Sequence, residues 1–430
     1  MEENIGEPEK YNGPTHEQGF YRYGLVVGSA AFVTTIAQME IIGQLPIRYL
    51  LKNHLGVAPE QMSLFLLLAT IAWYVKPLAG LISDSVPLFG TRRRHYLMIS
   101  SALAGVCWLA MAAVPRTYYP ILLTAIVLNF MMVMASTVMG GLLVEEAQRF
   151  QATGRLSSLR EGVEMFAGAA GLLVGGYLAE IAFGWTPVVA ASFLFALALF
   201  VFFFLDEKPV ARKNKKAWSE ARSNVSNLLH SRTLLTASAL LFLFYMAPGI
   251  GTPLYYLQTN TLKFSQAFIG WQSVISGATG VIGALAYARA CKVFRLGYLL
   301  AAGIVLNALS TGLYIEYHSR DSAMIIVAAN GLLSTFGVLP LFDLATRATP
   351  KGCEGLGFAV MMSLRNFALA SADWIGSWLM ESLDWPFESL VIINASTTLM
   401  VLFAIPFLPY ELLSQRETDS SGSISQTLSD

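Results

Sequence analysis

The sequence predicts an all-α membrane protein of twelve transmembrane helices, arranged as two pseudo-symmetric six-helix bundles. Three observations carry this expectation. Hydrophobic residues make up 55% of the 430-residue chain and charged residues only 13%, too few charges to clothe a water-facing surface of this size. Apolar runs of spanning length recur from end to end, among them 188–205, 234–247 and 324–339, each bounded by charges or by Gly and Pro. Short motifs in the first half also return in the second at a nearly constant offset.

The spans fall in order at 24–50, 60–83, 95–114, 119–145, 158–181, 186–205, 233–257, 267–290, 296–316, 322–344, 357–381 and 386–408. Residues 1–23 form the N-terminus. Their polar, acid-rich start lacks the basic flank, apolar core and small-residue cleavage site of a signal peptide, so the first span is expected to be its own insertion signal. The bundles occupy 24–205 and 233–408. Between them, 206–232 carries seven basic and three acidic residues and reads as a cytoplasmic linker. The Ser-rich stretch 409–430 reads as a disordered cytoplasmic tail. Of the 28 Lys and Arg, 20 fall on the side of the termini and of the loops after even-numbered spans, against five on the other side. Basic loops stay cytoplasmic, so both termini are expected there, in a multi-pass protein of the plasma membrane or bacterial inner membrane.

The repeat is visible in three places. Pro46, Tyr49, Leu50, Asn53 and Leu55 close the first span, and Pro253, Tyr256, Leu257, Asn260 and Leu262 close the seventh, 207 residues on. Glu145 and Arg149 end the fourth span as Asp343 and Arg347 end the tenth, and Ser158-Leu159-Arg160 in the fifth returns as Ser363-Leu364-Arg365 in the eleventh. Matches in register point to parallel repeats about an axis along the membrane normal. Gly43 and Pro46 interrupt the first span, and Pro248, Gly249, Gly251 and Pro253 the seventh. Both spans are therefore expected to bend near the non-cytoplasmic mouth.

Gly80 and Asp84, followed by Arg92, Arg93 and Arg94 between the second and third spans, resemble the signature loop of the major facilitator superfamily. That resemblance implies that Asp84 pairs with basic groups to hold the cytoplasmic face closed. The longer string through Trp73, Lys76-Pro77, Gly80, Ser83-Asp84, Pro87, Gly90, Arg92-Arg93-Arg94 and Tyr96-Leu97 resembles the folate-biopterin transporter family of that superfamily. Similarity continues in Pro253 to Ser265, and in Pro350 to Glu354 followed by Phe358 to Asn366. It implies movement of folates, pterins or related compounds, with protons. Two departures stand out. The family's Asp-Ala-x-Val-Val-Glu pattern in the fourth span reads Gly140-Gly141-Leu142-Leu143-Val144-Glu145 here, so the Asp is absent and the Glu kept. Its Leu-Gln-Ser-Leu-Cys-Trp-Gly pattern in the fifth span has become 156–162, with Arg160-Glu161 in place of a neutral pair.

Arg160 and Arg365 place cations inside apolar helices, which is costly unless they face a wet cavity or a partner. Guanidinium groups bind carboxylates bidentately, so these two residues, one from each half, are candidates to hold an anionic substrate. The alternative is a structural ion pair, Arg160 with Glu164 or Arg365 with Asp373. Lys76, before Pro77, reads as structural or snorkelling. Glu40, Gln44 and Arg48 stand four apart and form one polar stripe on an apolar helix, with Glu40 and Gln44 assigned to substrate. Glu40, Glu145, Glu164 and Asp373 are the candidate proton carriers, because a carboxyl held out of water can load and release protons near neutral pH. Tyr255 and Tyr256 are candidates to stack on a flat heterocycle, with the interfacial aromatic belt as the alternative. Glu145 with Arg149, and Asp343 with Arg347, are the candidate gate pairs beside Asp84 and the three arginines.

The expected function is secondary active transport by alternating access, moving a folate- or pterin-like or other organic anion together with protons. No P-loop appears, which argues against ATP-driven transport, and no His-Glu-x-x-His or Gly-x-Ser-x-Gly pattern supports an enzyme. Cys107, Cys291 and Cys353 are scattered, so neither a metal site nor a disulfide framework is expected. No cofactor and no nucleic acid is called for. The expected partners are a small anionic substrate, protons and the lipid bilayer, with the chain acting as a monomer. A carrier of an unrelated metabolite or drug, and a non-transporting membrane sensor, stand as alternatives.

Overall fold

The computed structural model describes residues 16–149, 153–207, 228, 230–349 and 354–414; the side chains of Asp84 and Arg149 lie outside the described residues. Helices account for most of what is described, and no β-strand occurs among the described residues. In chain order they are α1 (His16–Ile36), α2 (Gln44–Tyr49), α3 (Pro59–Ala69), α4 (Ile71–Tyr74), α5 (Lys76–Ser85), α6 (Arg94–Ala113), α7 (Tyr118–Arg149), α8 (Thr153–Leu178) and α9 (Trp185–Phe204). The second half contributes α10 (Arg232–Tyr245), α11 (Gly251–Tyr256), α12 (Gln266–Val293), α13 (Leu296–Gly312), α14 (Arg320–Ala348), α15 (Glu354–Ser382), α16 (Phe387–Met400) and α17 (Tyr410–Ser414).

Among the described residues, seven helical stretches are long and apolar enough to cross a membrane. The other expected spans are helical but fall short for physical reasons. The first, second and seventh are broken into shorter helices, and the fifth and eleventh carry charges, Arg160 and Glu164 in α8 and Arg365 and Asp373 in α15. Phe203, Phe403 and Phe407 project outward and exposed, as lipid-facing side chains do. Inside, a large apolar cluster surrounds Met39, Phe65 and Trp108 and continues into Tyr255, Phe264 and Tyr317 of the second half. A second cluster, around Leu240, Ile304 and Leu344, belongs to the second half alone.

The repeat reappears in local geometry. The short helices α2 and α11 lie 207 residues apart, and each runs into a π-helical turn, Leu50–His54 and Leu257–Thr261, at the same offset. The turn beyond each uses a left-handed residue, Gly56 at φ +65° and Lys263 at φ +53°. Glycine adopts that conformation freely, whereas a lysine bears about 1–2 kcal/mol of steric cost.

The face carrying Arg92, Arg93 and Arg94 is called the arginine face here, and the opposite one the distal face. Between the halves, α8 packs on α12, and α3, α4 and α5 pack on α15. Among the described residues, the hydrogen bonds that join the halves lie at the distal face. Lys52 Nζ donates to Thr259 Oγ1 at 2.6 Å, Trp271 Nε1 to Tyr177 at 3.1 Å, and Tyr256 to the Val57 carbonyl.

Several boundaries differ from expectation. α1 starts at His16, ahead of residue 24, where the first span is expected. The tail also begins later: Tyr410–Ser414 is helical, with Leu412 buried in the second-half core. Most of the expected linker, 208–227 and 229, and residues 415–430 lie outside the described residues.

Candidate functional site

The site begins at the interruption of the first span. Helix α1 ends at Ile36 and α2 starts at Gln44, leaving 37–43 as turns. Backbone groups freed inside a membrane protein must find partners. Here the indole Nε1 of buried Trp108 donates to the Ala37 carbonyl at 3.0 Å, and Gln38 Nε2 returns to the Thr34 carbonyl at 2.8 Å. Glu40 therefore sits in an unwound segment, not on the continuous helical stripe expected from its spacing, although Glu40, Gln44 and Arg48 still share one cavity wall.

The seventh span breaks at 246–250, where Pro248 and Gly249 stand. Helix α15 supplies the missing partners. Gly249 N donates to the Ala372 carbonyl at 2.7 Å, and Asp373 accepts from Thr252 N at 2.8 Å and Thr252 Oγ1 at 2.6 Å, capping α11 from outside its own chain segment. Asn394 Nδ2 adds a bond to the Pro248 carbonyl at 2.8 Å. Gly376 lets the two backbones touch, since a Cβ there would strike the Gly249 carbonyl. Asp373→Ala should lower the thermal midpoint of the purified protein, by about 1.5–3 kcal/mol of stability for hydrogen bonds to a charged group. Asp373→Asn should recover part of that loss, and an unchanged midpoint in the alanine variant contradicts the cap.

Between the two breaks lies a cavity of about 580 Å³. Glu40, Gln44 and Arg48 line it from the first span, Thr70, Trp73 and Tyr74 from the second, and Asn366 and Asp373 from α15. Both Glu40 carboxylate oxygens are buried without a hydrogen bond of normal geometry. Asn129 lies beside them, but its amide donates to Met39 Sδ and the Ala125 carbonyl. Arg48 Nε is likewise buried without a partner, and its guanidinium rests 5.6 Å from the centre of the Tyr255 ring. The aromatic wall is fixed in place: Trp73 Nε1 donates to Asn129 Oδ1 at 2.8 Å, and Tyr74 bonds Thr70 at 2.7 Å and the Leu67 carbonyl at 2.8 Å. The cavity thus presents an acid, a base and two held aromatic rings, with capacity to bond left over.

The other expected residues fall elsewhere. Arg365 lies beside the cavity, its guanidinium 4.7 Å from the Tyr245 ring and 5.5 Å from Phe342, with Nη1 donating to Asn366 Oδ1 at 3.1 Å. Arg160 pairs with Glu164 at 2.8 Å, as in the structural alternative, and neither is on the cavity wall. Tyr255 and Tyr256 are buried in the distal seam, Tyr255 bonded to Gln266 at 3.3 Å. Lys76 donates to Ser136 at 3.3 Å and lies over Trp73.

At the arginine face, Glu145 takes Arg93, with Nη2 at 2.7 Å and Nε at 3.0 Å, while Arg93 Nη1 also reaches Ser83 at 3.3 Å. Glu207, after α9, accepts the amides of Arg92, Arg93 and Arg94 at 2.8, 2.9 and 2.8 Å and so caps α6. Arg94 Nη2 donates to the Phe202 carbonyl at 2.7 Å. These bonds stay within the first bundle and the start of the linker that follows it. In the second, Arg347 holds Asp343 at 2.7 and 2.8 Å, with Tyr287 joining at 3.1 Å. The side chains of the other expected gate residues, Asp84 and Arg149, lie outside the described residues. Gly140, where the family resemblance puts an Asp, faces open space. Among the described residues, no cluster could hold a metal ion.

Comparison with known proteins agrees with this architecture. The BT1 family model matches residues 39–429. A folate-biopterin transporter of Synechocystis sp. is 27% identical over 417 residues, covering 90% of this chain and 84% of its own length. Folate transporter 1 of Plasmodium falciparum is 22% identical, covering 93% and 82%. Among solved structures, the nucleoside transporter NupG superposes with a TM-score of 0.71 at 11% identity, covering 90% of this chain and 99% of that one. A D-xylose-proton symporter gives 0.65 at 16% identity, covering 91% and 98%. These two likenesses establish the fold alone, that of the major facilitator transporters. With the family matched over nearly its whole length, the chain belongs to the BT1 family, as an integral membrane transporter and not an enzyme.

Proposed function

We propose that the protein moves a folate- or pterin-like organic anion together with protons, by alternating access of two bundles, 24–205 and 233–408, across the plasma membrane. The observation that carries this reading is the coexistence, in one cavity, of a carboxyl whose two oxygens and a guanidinium whose Nε are buried without a hydrogen bond of normal geometry, Glu40 and Arg48. Arg48 takes a substrate carboxylate, with Arg365 supporting it through Asn366. Trp73 and Tyr74 offer their faces to a flat ring, and Glu40 carries the proton. A volume of about 580 Å³ suits a ligand of this size, since small-molecule pockets run from about 300 to 1,000 Å³. Relatives named as folate and folate-biopterin transporters, and a proton symporter among the structural neighbours, support the same choice.

In this reading the arginine face and both termini are cytoplasmic, the chain acts as a monomer, and the described state is closed toward the outside. Arg92, Arg93, Arg94 and Asp84 then belong to the gate that closes the cytoplasmic face in the opposite state. Competition for labelled folate by unlabelled folate, pterin and simple organic anions, on purified protein, tests the substrate class. Folate and pterin should both displace the label; displacement by simple anions alone contradicts the reading.

A further inference from the structure

Two helix termini in the distal seam are capped from the opposite half. Glu180, just beyond α8, accepts the Ala267 amide at 2.9 Å in the first turn of α12. Glu381, in the last turn of α15, accepts the Glu60 amide at 2.7 Å in the first turn of α3, and Ser382 Oγ reaches the Glu60 carboxylate at 3.2 Å. The two capped amides, Glu60 and Ala267, stand 207 residues apart, the offset that also relates Lys52 to its partner Thr259. Each is the second residue of its helix, and each bond crosses from one half to the other along repeat-related helices.

First-turn amides have no partner within their own helix, and the positive end of a helix favours a carboxylate. Local capping leaves both positions to be filled. Pro59 has no N–H and Ala58 makes no side-chain cap, so the Glu60 amide is the first donor of α3. Ser265 caps α12 at Phe268 and leaves the Ala267 amide for Glu180. Opening the distal face must part α8 from α12 and α3 from α15, and so must break both bonds. Both lie at an exposed rim, where water can replace the lost partner and the break stays reversible.

We infer that Glu180 and Glu381 are paired latches of the distal gate, positioning residues that hold the transporter closed there and release in each cycle. The inference rests on the alternating-access part of the proposed function and not on the substrate. Spin labels at Tyr119 and Asp321, exposed at the distal ends of α7 and α14 in opposite halves, read the opening as a distance in substrate-free protein. Glu180→Gln and Glu381→Gln keep side-chain size and remove the charge. Each should raise the long-distance population severalfold over wild type, and the double variant should raise it further. Glu180→Asp and Glu381→Asp, which retain the charge, should fall between wild type and the neutral variants. A merely structural role would lower yield or melting temperature without moving the ratio of distances. If the double variant fails to accumulate, the single variants carry the test. Unchanged distributions in the variants, against a wild type that samples both distances, overturn the latches alone. One short distance in wild type and all variants overturns the latches together with alternating access.

Discussion

Glu40→Gln should abolish proton-driven accumulation of substrate in proteoliposomes while exchange of substrate across the membrane continues. The side chain lines the central cavity, and neither carboxylate oxygen makes a hydrogen bond of normal geometry. The amide fills the same space and keeps an acceptor but cannot take up or release a proton. Substrate can still bind and cross, so counterflow of labelled against unlabelled folate should stay near the wild-type rate, while accumulation against a gradient falls to background. Loss of both activities would make Glu40 a binding or structural residue, and retention of both would remove it from coupling.

The second large effect is expected at Arg48. Its Nε is buried without a partner, and its guanidinium rests on the Tyr255 ring at the cavity wall. Arg48→Gln should weaken folate binding by about 1.5–3 kcal/mol, roughly 10- to 150-fold in Kd, the worth of hydrogen bonds to a charged group. A neutral pterin, lacking the carboxylates, should bind the variant within about twofold of wild type. Arg365→Gln should cost less: its Nε is also buried without a partner, but its Nη1 is spent on Asn366 and it stands beside the cavity, not on its wall. Equal losses for folate and neutral pterin at Arg48 would contradict an anion site there.

Much of the fold was legible because it follows from short-range signals. The pair of Pro46 and Pro253, with their matching neighbours, set the 207-residue offset that α2 and α11 obey. Glycine and proline at 43, 46, 248 and 249 marked both broken spans. Spacing alone misplaced Glu40, because a period of four assumes an unbroken helix and the first span unwinds around it. Arg160 and Arg365 match in sequence but differ in setting. Glu164 stands one turn beyond Arg160, whereas Leu369 stands one turn beyond Arg365, so only the first finds an acid on its own helix.

Partners that come from other helices left no mark in the sequence. Asp373 read as a proton carrier, yet its carboxylate caps α11. Glu207 read as part of a linker, yet it caps α6, and the indole of Trp108, which no sequence motif singles out, donates to the Ala37 carbonyl. Asn129, which fixes Trp73, was missed for the same reason. Each role depends on which helices touch, and hydropathy does not carry that information.

Proton movement measured with substrate movement tests the central claim most directly. Purified protein is reconstituted into liposomes loaded with a pH-sensitive dye and given folate outside, in the absence of any imposed gradient. Folate entry should acidify the lumen, in proportion to the folate taken up, and Glu40→Gln vesicles should show no such acidification. Folate uptake with no change in lumenal pH would contradict proton coupling, and vesicles that admit simple organic anions but no folate would contradict the substrate.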